Sequence, residues 1–134
     1  MVNNLKIFID GACQPNPGSG GIGIYIILND NEEKISLPLK GTVTNNIAEY
    51  EALIFALNTV VEKKELYNHI DIFSDSQLVS MQFNKKWKCK DKNLSILLGK
   101  ALKLRDEIKS KISLTYIPRE ENQVADELAK NGIS

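Results

Sequence analysis

Long apolar runs are missing from this 134-residue chain. No stretch approaches the roughly 20 residues that a membrane-spanning helix requires, so no membrane association is expected. Cysteine is scarce. Cys13 and Cys89 are too few for a disulfide framework and lack the spacing of a thiolate metal site, and a reducing, cytoplasmic setting is the matching expectation. Histidine occurs once, at His69. Net charge is absent too, because seventeen basic and seventeen acidic residues cancel, so no global field announces a polyanionic partner. The start, MVNNLKIFID, has no basic segment leading into an apolar one, so no secretory leader is expected. Repeats, linkers and low-complexity tracts are also lacking, which predicts one domain over residues 1–134. A chain of this length removes roughly two-thirds of its unfolded surface on folding, enough for a proper core.

What is present is periodic. LKIFID (5–10) alternates and is rich in β-formers, which predicts a strand. GACQPNPGSGG (11–21) has the composition of a loop. IGIYIIL and KISLPLKG, separated by NDNEE, predict a hairpin, and Pro38 marks its second arm as an edge strand. A helix follows from Asn46 to about Lys63, then a strand at HIDIFSD and a helix from Ser76 towards Trp87. NLSILLGKALKLRDEIKS is a further helix and KISLTYI a strand. ENQVADELAKNG is a final helix, with Asn122 as its expected N-cap and Gly132 as its stop. A hairpin followed by βα units implies an α/β fold with a mixed sheet, the strands at 5–10, 69–74 and 112–117 being parallel and helices lying on its faces.

One residue interrupts this pattern. The helix from Asn46 carries two apolar stripes, Ile47-Tyr50-Ile54-Leu57-Val61 and Leu53-Ala56-Val60, and the second begins one turn earlier with a carboxylate, Glu49. Asp10 ends the first strand and Asp75 the fourth. In open α/β sheets, sites form beyond the carboxyl ends of parallel strands. If these strands are neighbours, about 4.8 Å separates them, and two carboxylates there repel unless a cation or a shared proton intervenes. Asp126, early in the last helix, is a fourth candidate. An all-oxygen set suits Mg²⁺ or Mn²⁺ rather than zinc, and paired divalent ions serve phosphodiester chemistry. Each acid has an ordinary alternative. Asp10 suits a turn, Asp75 a helix cap and Asp126 a helix dipole, while Asn46 with Glu49 forms a capping-box pattern. Asp71, Glu51, Glu127, Glu120 and Glu121 read as solvated charges.

Gly18-Ser19-Gly20-Gly21-Ile22-Gly23 matches the dinucleotide pattern GxGxxG, but it runs into an apparent strand rather than a helix. Close approach of backbone to some other element is the better use for these glycines.

IDGACQPNPGSGGIG, TNNIAEYEAL, FSDSQLV and NQVADELA together resemble, in order and from Ile9 to Ala129, the four signature blocks of type 1 ribonuclease H. The resemblance implies a ribonuclease H-like fold with a five-stranded mixed sheet in the order 3-2-1-4-5. It also implies an endonuclease that hydrolyses the RNA strand of RNA–DNA hybrids with two Mg²⁺ or Mn²⁺ ions. Asp10, Glu49, Asp75 and Asp126 match the family's metal-binding acids. Asn16, Asn45 and Asn46 match residues that line the minor groove of the hybrid, and Thr44 and Asn93 match a pair that grips a DNA phosphate. The backbone near Cys13 and Gln14, with the Glu49 side chain, would meet ribose 2′-hydroxyls. Such a groove is wide, shallow and recognised by shape.

In the implied mechanism one ion activates the attacking water and the other steadies the leaving 3′-oxygen, giving 5′-phosphate and 3′-hydroxyl ends. Asp10 would bridge the ions and Asp126 would position the first. The chain departs from many relatives in lacking a histidine in the loop YIPREENQVAD, where Arg119 stands instead, expected near the site as an auxiliary residue or left as a solvated loop charge. A phosphate-pocket arginine of some relatives aligns with Ile27, and the long basic handle is reduced to NKKWKCKDK. There Trp87 with Lys88 and its neighbouring lysines suits a nucleic-acid backbone packed on a ring, the alternative being a core-anchoring tryptophan amid solvated charge. Double-stranded RNA is a second candidate substrate, and a monomer is expected. The rival readings are a non-catalytic hybrid-binding module, a junction resolvase and a phosphotransferase half-domain.

Overall fold

The computed structural model describes residues 3–63 and 67–133. Alternation sets the layers. Along β1 (Asn4–Gln14), β2 (Gly18–Leu28) and β4 (His69–Ser74), one parity turns inward as Leu5, Ile7, Ile9, Ile22, Ile24, Ile26, Ile70 and Ile72, each at most 4% exposed. β3 (Asn31–Val43) and β5 (Ile112–Tyr116) complete one sheet in the order β3-β2-β1-β4-β5. β1, β4 and β5 run parallel while β2 and β3 are antiparallel to their neighbours, as expected. Pro38 lies on edge strand β3, where its missing N–H faces no ladder partner beyond β2.

α1 (Asn45–Lys63) packs on β1 and on α3 (Lys92–Glu107). Of its two stripes, the one that starts with Glu49 is the deeper: Leu53, Ala56 and Val60 are buried, whereas Ile47, Ile54 and Val61 are only half-buried. Truncating Leu53 to alanine there would cost about 2–5 kcal/mol through lost contacts and the cavity left behind. α2 (Gln77–Phe83) leads to α3, and α4 (Gln123–Gly132) covers the opposite face of β1 and β2. A 3₁₀ turn, Arg119–Glu121, connects β5 to α4.

Several local expectations need correction. The segment 11–21 is not a loop: β1 continues to Gln14 and β2 begins at Gly18, leaving only residues 15–17 as the turn. Its glycines serve close packing. A Cβ on Gly11 would lie 2.2 Å from the Ala48 carbonyl carbon of α1, and one on Gly23 would lie 2.2 Å from the Ala125 oxygen of α4. Both helices therefore press their backbones onto the sheet beside Asp10. The hairpin turn is two residues, Asn29 and Asp30, with Asn29 at φ 57°, so Glu32 and Glu33 belong to β3. α1 starts at Asn45 rather than Asn46, α2 ends at Phe83 before reaching Trp87, and α3 runs from Lys92 only to Glu107. Ser76 stands outside α2 as its N-cap, accepting from the Val79 N–H, so Asp75 is not the cap.

Candidate active site

The carboxyl ends of β1 and β4 lie side by side, since Ile9 pairs with Ser74, and the next residue on each strand is an acid. Asp10 is only 4% exposed. Glu49 reaches it from the second turn of α1, because the glycine at position 11 lets the start of the helix settle on the strand. The Gly11 N–H donates to Glu49 Oε1 at 2.6 Å. No capping box forms between Asn46 and Glu49. Thr44 caps α1 instead, its Oγ1 accepting from the Ile47 N–H at 3.2 Å, which frees Glu49 to point into the site. One oxygen from each of Asp10, Glu49 and Asp75 lies within 4.8 Å of the others. Asp126 stands on α4 across from Asp10 and pairs with Lys130 at 3.1 Å, one turn on.

The electrostatics follow from that crowding. Burial first, then the charges of Glu49 and Asp75, push the Asp10 carboxyl up to about 10 from its ordinary 3.8. Burial also dominates at Glu49, which is pushed up to about 7 despite the opposing hydrogen bond to Asp10, the Gly11 N–H and the Arg119 guanidinium. Arg119 thus approaches the cluster: it lines the same cleft of about 230 Å³ as Asp10, Cys13, Gln14, Asn45, Glu49, Asp126 and Lys130. The two cations of this cleft do not offset its acids. A set of close, all-carboxylate donors with surplus negative charge fits a divalent cation.

Nearby polar groups extend the site. Asn16 Oδ1 accepts from the Asn45 N–H at 3.2 Å, and the Cys13 thiol lies 3.3 Å from Asn45 Oδ1 and 3.5 Å from Asn16 Oδ1. With their oxygens turned to these donors, both amides leave their NH₂ groups to face outward. A second cleft, of about 210 Å³, brings together Thr44, Asn46 and Asn93 with Asp91, the N-cap of α3. Thr44 accepts within α1 and so keeps its hydroxyl proton to donate. Ile27 does not border this cleft. It lies on the other face of the sheet beside Phe8 and Tyr25, which removes it from the position expected of a phosphate-pocket residue.

Trp87 and Lys88 line neither cleft. They sit on the exposed segment after α2, and Trp87 is 44% exposed, so it is no core anchor. The lysines around it belong to a larger asymmetry that the zero net charge conceals. Residues 85–111 hold ten of the seventeen basic residues and three of the seventeen acidic ones.

The sequence reading missed two residues of this site. Lys130 was detectable as the i+4 partner of Asp126. Asn122 read as an N-cap, yet its side chain caps nothing. Its Nδ2 donates to the Ile9 carbonyl at 2.9 Å and to Asp75 Oδ2 at 3.3 Å. No feature of a short polar residue before a helix distinguishes those uses.

Comparison with known proteins agrees with the site. A family model described as reverse transcriptase-like matches residues 8–132. The chain is 36% identical to ribonuclease HI of Haemophilus ducreyi over 98% of this chain and 91% of that protein. It is 34% identical to ribonuclease HI of Pasteurella multocida with the same coverage. Among solved structures it superposes on RNase H1 from the halophilic archaeon Halobacterium salinarum with a TM-score of 0.87 and 31% identity, over 96% of each chain. For LC11-RNase H1, a protein isolated from compost and solved in complex with an RNA/DNA hybrid, the TM-score is 0.89 and the identity 33%, again over 96% of each chain. With its converging acids, its strand order and these relatives, the chain belongs to the ribonuclease HI family.

Proposed function

We infer that this protein is a ribonuclease H, an endonuclease that hydrolyses the RNA strand of RNA–DNA hybrids and leaves 5′-phosphate and 3′-hydroxyl ends. The observation that carries the reading is the convergence of Asp10, Glu49 and Asp75, with ligand oxygens within 4.8 Å, beside a cleft in which Asp10 and Glu49 meet Cys13, Gln14 and Asn45. Asp10, Glu49, Asp75 and Asp126 would hold two divalent ions, Mg²⁺ or Mn²⁺, which when bound supply the positive charge that activates water and offsets the transferring phosphate.

The chain's own groups then have distinct tasks. Glu49, fixed by the Gly11 N–H, directs one oxygen at the acids and keeps the other for a ribose 2′-hydroxyl. Asn16 and Asn45 present amide donors to base-edge acceptors in a shallow minor groove, their orientation set by Cys13 and by the Asn45 N–H. Thr44 and Asn93 receive a DNA-strand phosphate at the second cleft, Asn46 at its edge faces the minor groove with Asn16 and Asn45, and Trp87 with Lys88 meets the backbone further along. Arg119 reaches the acid cleft from the turn before α4 and acts there as an auxiliary cation.

Incubation with an RNA–DNA hybrid, double-stranded RNA and double-stranded DNA, each with Mg²⁺ or Mn²⁺, tests the reading. Cutting of the RNA strand of the hybrid is expected. Binding of the hybrid with no cleavage under either metal would identify a binding module instead, and efficient cutting of double-stranded RNA would widen the substrate range.

A further inference from the structure

Three acid-bearing elements meet at a residue that is not an acid. Asn122 is 1% exposed. Its Nδ2 donates both to the carbonyl of Ile9, the residue before Asp10, and to the Asp75 carboxylate. Its own carbonyl accepts from the Asp126 N–H at 3.0 Å in the first turn of α4. A carbonyl and a carboxylate can only accept, so the orientation of the amide is fixed. Oδ1 then faces the other way, where it is buried with no partner among the described residues. A buried acceptor left unpaired is destabilising. Packing alone does not call for an amide at that cost.

We propose that Asn122 is a positioning residue for the metal site. Its amide holds the Asp75 carboxylate against the end of β1, and its backbone places Asp126, so the four acids converge before a cation arrives. Asp10 and Glu49 repel Asp75, and once Nδ2 is removed Asp75 is free to swing away from them. The inference rests on the reading of these acids as divalent-cation ligands.

Calorimetric titration of Mn²⁺ into the substrate-free protein tests it, using wild type, Asn122→Ala and Asn122→Ser, which keeps a short donor. The expected result is Mn²⁺ affinity about 10- to 100-fold lower for Asn122→Ala, the scale for groups that orient metal ligands, with part of the loss recovered in Asn122→Ser. On the hybrid, kcat at limiting Mn²⁺ should fall and rise again with added Mn²⁺, while KM stays within about twofold. Equal Mn²⁺ affinity in wild type and Asn122→Ala would overturn the proposal alone. Wild type that binds no Mn²⁺ would overturn the metal reading and this inference with it. Failure of both variants to fold would also overturn it, because Asn122 would then hold the fold rather than the acid.

Discussion

Strand β4 carries an acid near each end, and the two are handled in opposite ways. At its amino end Asp71 has protein partners: His69 Nε2 at 2.9 Å and the Ser113 hydroxyl at 2.9 Å. Past its carboxyl end Asp75 faces Asp10 and Glu49, two more acids, and receives one long amide hydrogen bond from Asn122. The same strand thus holds one carboxylate that the protein satisfies and one that it leaves short of positive charge. Protein groups complete the first end. The second could hold a metal ion, and the shifted carboxyls of Asp10 and Glu49 record its shortage of positive charge.

The comparison breaks most visibly on substitution. Asp10→Asn should lower hybrid cleavage by about a thousandfold or more, the loss of several kcal/mol of charge stabilisation, while Asp71→Asn leaves the rate within about twofold. Circular dichroism should show both variants folded, and Asp10→Asn in chelator should melt a few degrees higher than wild type, because the fold no longer holds protonated a carboxyl that ionises once the chain unfolds. Equal losses of activity in both variants would erase the distinction between the two ends.

The pH dependence of the metal-free protein follows from the same charges. Asp10 and Glu49 bind protons more tightly in the folded than in the unfolded state, whose values are near 3.8 and 4.5. Their contribution to stability is therefore complete below the ordinary carboxylate range and is lost as pH rises through about 7 for Glu49 and towards about 10 for Asp10. In chelator, the melting temperature should be higher at about pH 5 than at about pH 8, by a few degrees. Saturating Mg²⁺ should remove most of that difference, and Asp10→Asn should flatten it without metal. A melting temperature in chelator that rises from about pH 5 to about pH 8 would contradict the shifts.

Why the acid end was legible in the sequence while its supports were not has a physical reason. Alternation along LKIFID and HIDIFS fixes which residues share a face, so Asp10 and Asp75 could each be placed at a strand end, and helical spacing turned Glu49 inward. Those inferences use local periodicity alone. The glycines at positions 11 and 21 have the composition of a loop, yet they lie in strands because α1 and α4 approach them, a relation between elements far apart in sequence. Thr44 rather than Asn46 caps α1, and Asn122 anchors Asp75 rather than capping α4. Short polar side chains serve either use equally well, and only the packed neighbours decide. The basic segment at 85–111 was hidden by summation, since zero net charge does not report where the charges sit.

That basic segment gives a smaller test. Replacing Lys86 and Lys88 together by glutamine should weaken hybrid binding and reduce the slope of log affinity against log salt by roughly one to two, with cleavage at saturating hybrid unchanged. An unchanged slope would remove the segment around Trp87 from the interface.

The smallest effect belongs to the satisfied end. His69→Ala removes the imidazole contact to Asp71, whose partners are each about a third exposed at 38% and 32%. Ser113 still donates to Asp71, so the carboxylate is not left without a hydrogen bond. Exposed pairs of this kind contribute about 0.5 kcal/mol, which corresponds to a drop of about 2 °C in melting temperature, and urea titration resolves that change from zero. Cleavage of the hybrid should not change, because His69 pairs with Asn4 at the opposite end of the parallel strands from Asp10. A fall in kcat with His69→Ala would mean that the two ends of β4 are coupled. Asp71 would then be part of the mechanism rather than its contrast.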